Sequence, residues 1–411
     1  MKAQWNPLRW PGVWKDPALL SLLQGTALDY LVIDKGGEFE PVRARARQQG
    51  LKIAEAGSPP AGIAVVKGEW PGVKMRGGGG GQAAGGPTGV PWVDSNGWNI
   101  RLSSALHPES QVWVDVAPPE QNAPPNADSY LVAIADSAAY GGRWIVTLDG
   151  PLAAGLAAGK PESLAAWKRI SATAGFFAAR KAWAEYVPEA VIGVVSDFTG
   201  DNEFFGQELL NLLARAGGHY RIVRKDAVGS VPFAGLRALI YADAAPPAPA
   251  LRKQILAFVE GGGLLIAFPK WGAVAGAPAK GEAHPRYTIR AAGKGKIAQA
   301  NADPDDPYIV ANDAVLLLSH RYDLVRFWNG GATGDYYTVS PDRKKAVVHL
   351  LFYANRGPDS ASVRIAGRYR GAKASTVDAP LVANLEVKTE KDAVEIHLPQ
   401  VSQYVAVELD A

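Results

Sequence analysis

Three short apolar runs, each closing on an aspartate, constrain this chain more than any other feature: Pro91-Trp92-Val93-Asp94, Val112-Trp113-Val114-Asp115 and Trp144-Ile145-Val146-Thr147-Leu148-Asp149. Segments with helical spacing separate them, at residues 100–106 and 130–140. Buried strands alternating with helices dictate a parallel sheet, because a parallel crossover needs a helix-length connection. In parallel sheets and barrels, ligands gather at the carboxyl ends of the strands. Three aspartates sharing that end would suit acid–base chemistry.

The alternation extends upstream. Strands are expected at residues 4–8, 30–34, 51–55, 63–67 and 73–75, with helices at 17–24 and 39–49. With the three aspartate-terminated runs the count reaches eight, and a long helix at 161–186 would close the layer. Eight strands in so short a stretch fall below the roughly 250 residues usual for an eight-stranded barrel. The expectation is an α/β chain whose residues 1–187 form a compact (β/α)8-like barrel lacking some helices. Ten of the 12 tryptophans precede residue 190, suited either to barrel filling or to stacking on sugar rings. The corner Trp10-Pro11-Gly12-Val13 recurs as Trp70-Pro71-Gly72-Val73.

Residues 188–304 read as a flavodoxin-like, doubly wound layer, with strands at 191–196, 220–223, 238–242 and 264–268. Its helix at 250–260 stops at Gly261-Gly262-Gly263. From about residue 287 the apolar period becomes two, and residues 305–411 are expected to form a small antiparallel β-sandwich.

A barrel, a flavodoxin-like layer and a small sandwich, in that order, resemble the glycoside hydrolases with a β-galactosidase-type trimerisation domain, such as the family 42 β-galactosidases. The resemblance rests on the strand at 191–196 with its helix, on 251–268, and on Val347-Val348-His349-Leu350-Leu351-Phe352-Tyr353-Ala354-Asn355. It implies a carbohydrate substrate and a homo-oligomer, dimeric or trimeric. The middle layer also resembles class I glutamine amidotransferase domains, but those need a cysteine nucleophile and this chain has no cysteine. The family's Asn-Glu pair and lone catalytic glutamate find no match in the short barrel, so no catalytic residue carries over.

A net charge of +3 with no basic run gives nucleic acid no footing. No stretch has the length of a membrane span. The start of the sequence lacks the apolar core of a signal peptide, and the compartment stays open between cytoplasm and periplasm. The glycine-rich segment at 77–89 lacks the Gly-Lys-Ser/Thr of a phosphate loop, and no metal-loop pattern appears. No cofactor or metal is expected.

Glycosidic hydrolysis needs one carboxylic acid to protonate the leaving oxygen and one carboxylate as nucleophile or base. The catalytic candidates are Asp94, Asp115, Glu55, Asp149 and Glu69, all at or just beyond strand ends. Asp94 leads, because Trp92-Val93-Asp94-Ser95-Asn96-Gly97-Trp98 combines a carboxylate, an amide and two indoles. Trp98, Asn96, Trp92, Trp70, Asp34 and Lys35 are the candidate sugar-binding residues. Against this stand ordinary roles: a helix cap for the residues around Asp94, and a turn for Asp149 before Gly150-Pro151. A non-catalytic glycan-binding or scaffold protein with a degenerate barrel is the alternative function.

Overall fold

A computed structural model describes residues 4–74, 92–119, 125–226, 233–276, 278–279, 281–328, 331–354 and 359–411. The glycine-rich segment at 77–89 lies outside the described residues. The first part runs β1 (Pro7–Arg9), β2 (Tyr30–Ile33), α1 (Glu40–Gln48), β3 (Lys52–Glu55), β4 (Ile63–Lys67), β5 (Gly72–Val73) and β6 (Val93–Asp94). It continues with α2 (Gly97–Leu106), β7 (Gln111–Asp115), α3 (Ala127–Ala139), β8 (Arg143–Trp144), β9 (Val146–Thr147), α4 (Gly150–Ala157) and α5 (Pro161–Ala179).

All pairings in the main sheet are parallel. β2 lies between β1 and β3, and β9 flanks β1 on its other side. β7 lies between β4 and β8. β8 and β9 are one segment interrupted at Ile145, whose N–H donates to Val114 O at 3.0 Å. One stretch of chain therefore joins two ladders, giving the order β3-β2-β1-β9, then β8-β7-β4.

Alternation decides what each face buries. Leu31, Ile33, Val112, Val114, Trp144 and Val146 share a core with residues of α1, α3, α4 and α5. Tyr30, Val32, Ile63, Trp113 and Ile145 form a separate cluster on the other face. Side chains from strands this far apart in the order can meet only if the sheet curls on itself. Aromatic rings fill the interior: Trp113 and Trp5 each stand 5.0 Å from Tyr30, centroid to centroid. Trp10 and Trp14 fill the outer core, donating their indole N–H groups to Trp14 O and Ala153 O. The tryptophan excess is thus largely a packing device.

Against the expected eight, six parallel strands are present among the described residues, with β8 and β9 taken as one. β5 and β6 pair antiparallel with each other, Gly72 opposite Asp94, and stay out of the parallel ladders. Each is only two residues long, and Gly72 bends the chain with φ of 153°, a value that suits glycine. The helix expected to reach residue 186 stops at Ala179 and gives way to a short 3₁₀ turn, Lys181–Glu185. α4, an Ala/Gly/Leu segment without a charged face, has no counterpart in the sequence expectation.

The middle part contains β10 (Val187–Pro188), β11 (Ile192–Ser196), α6 (Glu203–Arg215), β12 (Tyr220–Arg224), β13 (Ala238–Tyr241), α7 (Pro249–Glu260), β14 (Leu264–Ala267), β15 (Tyr287–Ala292), β16 (Gly295–Ala300) and α8 (Pro307–Leu318). Its sheet has the order β12-β11-β13-β14-β16-β15, parallel except for the β15–β16 hairpin. The period-two segments near residues 287 and 296 therefore belong to this sheet. α6 and α8 cover one face and α7 the other.

The last part contains β17 (Val325–Trp328), β18 (Thr333–Val339), β19 (Lys345–Phe352), β20 (Asp359–Ala366), β21 (Gly371–Ser375), β22 (Glu386–Thr389), β23 (Ala393–Val401) and β24 (Tyr404–Asp410). Two antiparallel sheets, β10-β18-β19-β24-β21 and β17-β20-β23-β22, share one core. β10 pairs with β18, carrying the chain from the first part onto this sheet. Val347, Leu351, Tyr404 and Ala406 pack into the core of the first part, where Phe177 lies 5.0 Å from Tyr404.

Candidate active site

Parallel strands put their carboxyl ends on one rim, and the candidates distribute around it unevenly. Lys67 of β4 stands opposite Asp115 of β7 in register. Gly68 N–H reaches Asp115 O at 3.4 Å, so Glu69 lies just past the strand end beside Asp115. A Cβ on Gly68 would collide with Asn96 Oδ1 and Val114 Cγ1, which explains glycine at this close approach. Arg9, ending β1, holds both oxygens of Asp115 at 2.7 Å. At the far side of the rim, Lys35 pairs with Glu55 at 3.0 Å with both side chains well exposed. Asp34 lies near the first Trp-Pro corner, where a Cβ on Gly12 would stand 3.9 Å from its Oδ2. Among the described residues, the carboxyls of Asp34 and Glu69 form no ion pair.

Asn96 is 2% exposed and works as a clamp. Its side chain accepts from Glu69 N–H at 2.8 Å and donates to Glu69 O at 2.9 Å. It also donates to Asp136 of α3 at 3.0 Å. Asp136 is wholly buried and accepts in addition from the Tyr353 hydroxyl at 2.6 Å. Burial pushes the Asp136 carboxyl above the usual range, against the pull of the Tyr353 and Asn96 hydrogen bonds. The loop carrying Glu69 is thus tied through Asn96 and Asp136 to the end of the last part's central strand.

Other candidates lie elsewhere or do other work. Asp149 is buried, caps α4 by accepting from Leu152 N–H at 2.9 Å, and accepts from the Tyr130 hydroxyl at 2.9 Å. Asp94 accepts from the Trp92 indole at 3.2 Å and lies 3.9 Å from Lys74 Nζ. Trp92 packs beneath Arg215 of α6, at 3.9 Å, and both Trp92 and Trp98 border the middle core. Trp70 meets Tyr130 and Trp144 edge-on at 5.2 and 5.4 Å. All three rings are half-buried and make these packing contacts. The helix after Asp94 starts at Gly97, and Asn96 at its cap position makes no side-chain cap bond. Asn96 spends its amide on Glu69 and Asp136 instead.

Arg9, Asp136 and Tyr353 escape the sequence reading. Asp136 carries the one available signal, a carboxylate inside the apolar stretch Ala133-Ile134-Ala135 of a helix. Arg9 and Tyr353 become visible only through long-range pairing. His219 Nε2 lies 2.6 Å from Asp335 Oδ1, with both side chains nearly buried. At the strand ends of the middle sheet, Lys225 bridges Asp197 and Asp243 at 2.5 and 2.8 Å. Among the described residues no group of three or more His, Asp or Glu is placed to share a metal ion. No described helix is long and apolar enough to cross a membrane.

No protein-family profile matches the sequence, and no curated protein matches it. Solved structures do match. α-L-Fucosidase isoenzyme 2 from Paenibacillus thiaminolyticus superposes with a TM-score of 0.53 at 12% identity, over 96% of this chain and 80% of the fucosidase. A rhamnosidase from Novosphingobium sp. PP1Y gives 0.52 at 10% identity, over 91% of this chain and 38% of the rhamnosidase. A β-galactosidase from Rahnella sp. R3 gives 0.47 at 10% identity, over 94% and 64%, a superposition too loose to argue from. The structures that resemble this chain are glycoside hydrolases, and what it shares with the first two is their fold.

Proposed function

We propose that the chain is a glycoside hydrolase acting at the rim formed by the carboxyl ends of its parallel strands, with Asp115 and Glu69 as the carboxylate pair. In this reading residues 1–187 are a reduced barrel, 188–304 a flavodoxin-like layer and 305–411 a β-sandwich. Glu69 protonates the leaving glycosidic oxygen. Asp115, oriented on both oxygens by Arg9, attacks the anomeric carbon or activates water. Asp34 and the Lys35–Glu55 pair contact sugar hydroxyls across the rim. Asp94 and Asp149 serve structure. The supporting observation is the register of Lys67 with Asp115, which brings two carboxylates of different chain segments to adjacent strand ends.

One observation favours a second reading, glycan binding without turnover. Of the rim carboxylates, Asp115 and Glu55 are held by cations, as in a surface whose chemistry is spent on folding. A screen of chromogenic glycosides and polysaccharides with wild type, Asp115→Asn and Glu69→Gln separates the two. Turnover lost in both variants supports the enzyme. Binding without any turnover supports the second reading, and turnover unchanged in both variants places the site elsewhere. Light scattering on the purified chain tests the dimer or trimer implied by the family resemblance.

A further inference from the structure

Opposite the rim, at the amino ends of the strands, the three parts of the chain surround a cavity of about 330 Å³. Gln4 before β1, Gln111 opening β7 and Arg143 opening β8 form its floor, while Ile222, Thr338 and His349 bring in the other two sheets. Among the described residues five cations line it, Arg101, Arg143, Arg180, Lys181 and Arg221, and no aspartate or glutamate does. We propose that this cavity binds a small anion of monosaccharide size, such as a uronate or a sugar phosphate, at a site separate from the catalytic rim.

Charge without an ion-pair partner among the described residues, at Arg101, Arg143, Arg180 and Lys181, carries the argument. Arg143 is 7% exposed, yet its guanidinium meets only Gly142 O and Gln4 Oε1, at 2.7 and 2.6 Å, and its Nε has no partner. Burying a cation without a counterion is costly, and a bound oxyanion would offset that cost with charge-assisted hydrogen bonds. Asp29 is the carboxyl whose charge acts on Arg143, but it stands outside the lining and accepts from Asn6 N–H at 2.8 Å. Among the described residues Arg101, Arg143, Arg180 and Lys181 form no ion pair. Arg101 and Arg180 are fixed over aromatic rings instead, at 3.6 Å from Tyr220 and 3.7 Å from Phe176, so their charge is pre-positioned. The volume lies at the lower end of the ligand-pocket range, about 300–1,000 Å³, and matches a ligand of one ring. Trp183, Tyr186 and Gln111 add the mixed apolar and amide lining that a sugar body uses.

The test is titration calorimetry on the full chain with glucuronate, glucose 6-phosphate, inorganic sulfate and glucose, in a buffer free of multivalent anions. Glucuronate or glucose 6-phosphate should bind saturably where glucose does not. Arg143→Gln, and separately Arg180→Gln with Lys181→Gln at the more accessible side, should each weaken that binding about tenfold or more, roughly the loss of one charge-assisted contact. Asp115→Asn should leave it unchanged, which keeps this result independent of the rim's activity. Glucose binding as tightly as the anions overturns the proposal. So does anion affinity untouched in the folded Arg180→Gln/Lys181→Gln variant, or the absence of saturable heat with any anion. Sulfate binding as tightly as the sugar anions would overturn the sugar-sized ligand and leave only an oxyanion site.

Discussion

Asn96 presents both its backbone N–H and its side-chain amide to one oxygen of Asp136, at 2.9 and 3.0 Å, while Tyr353 donates to the other at 2.6 Å. Three donors from two distant segments converge on one buried carboxylate. Asp136→Ala leaves them all unanswered and should cost roughly 3–5 kcal/mol of stability. Asp136→Asn keeps an acceptor for Asn96 and should cost less than half of that. Urea denaturation of both variants checks the order, and an equal loss would show that packing rather than hydrogen bonding holds this junction.

The ends of the Arg9–Asp115 pair should behave unequally in catalysis. Asp115→Asn and Glu69→Gln should each lower kcat/KM about 10²–10⁴-fold, the usual range for a group acting directly on the reaction. Arg9→Met only releases Asp115 and should cost less, with little further loss when added to Asp115→Asn. Steady-state kinetics on the three single variants and the double variant reads the difference.

Asp149 provides the opposite control. As a cap that also accepts the Tyr130 hydroxyl, it should lose about 2 kcal/mol on conversion to alanine, through the cap and the orphaned hydroxyl together. Turnover per folded molecule should not change. A large fall in kcat with stability intact would return Asp149 to the catalytic set.

His349 should shape the acid limb of the stability curve. Burial lowers its imidazole to about 3, and its Nδ1 lies 2.7 Å from the Tyr404 hydroxyl. The unfolded chain takes up this proton near pH 6.5 and the folded chain does not, so stability contributed above pH 6.5 is lost as pH falls toward 3. The slope from this residue is about 1.4 kcal/mol per pH unit. His349→Phe should flatten that part of the curve in thermal melts between pH 6.5 and 4.

The curled interior depends on one indole. Trp113 is 1% exposed, meets Tyr30 edge-on, and donates its N–H to Gln111 at 3.1 Å. Trp113→Ala should cost roughly 3–5 kcal/mol, the usual penalty for emptying a large core position. A denaturant midpoint shift checks it.

Most strand positions were legible because each strand's apolar period is local: residues 30–33, 112–115 and 192–196 announce themselves. What local pattern withholds is who pairs with whom. Val93 and Asp94 read like Val114 and Asp115, but the first two pair with Gly72 and Val73 across an antiparallel hairpin, and the others enter a parallel ladder. The rim shows the same limit. Asp115 and Glu69 carry a visible strand-end signature, whereas Arg9 lies 106 positions from the aspartate it grips. Asp149 has two readings in the sequence, and the proposed structural one rests on its bonds to Leu152 and Tyr130, which no local pattern announces. Composition alone cannot tell a ring facing solvent from one that, like Trp70, meets Tyr130 edge-on.

The division of one segment between two ladders at Ile145 has a consequence during synthesis. β1 leaves the ribosome well before β9, its neighbour on one side, which comes near the end of the first part. Until Thr147 emerges, β1 and β7 each keep a bare edge, and bare edges recruit strands from other chains. The contacts that cover them are among the most distant in this part, and such closures are slow. Nascent chains paused when residues 125–142 have just emerged should therefore be the most aggregation-prone, as pelleting of stalled chains of graded length would show. The few residues that follow them cover both edges at once.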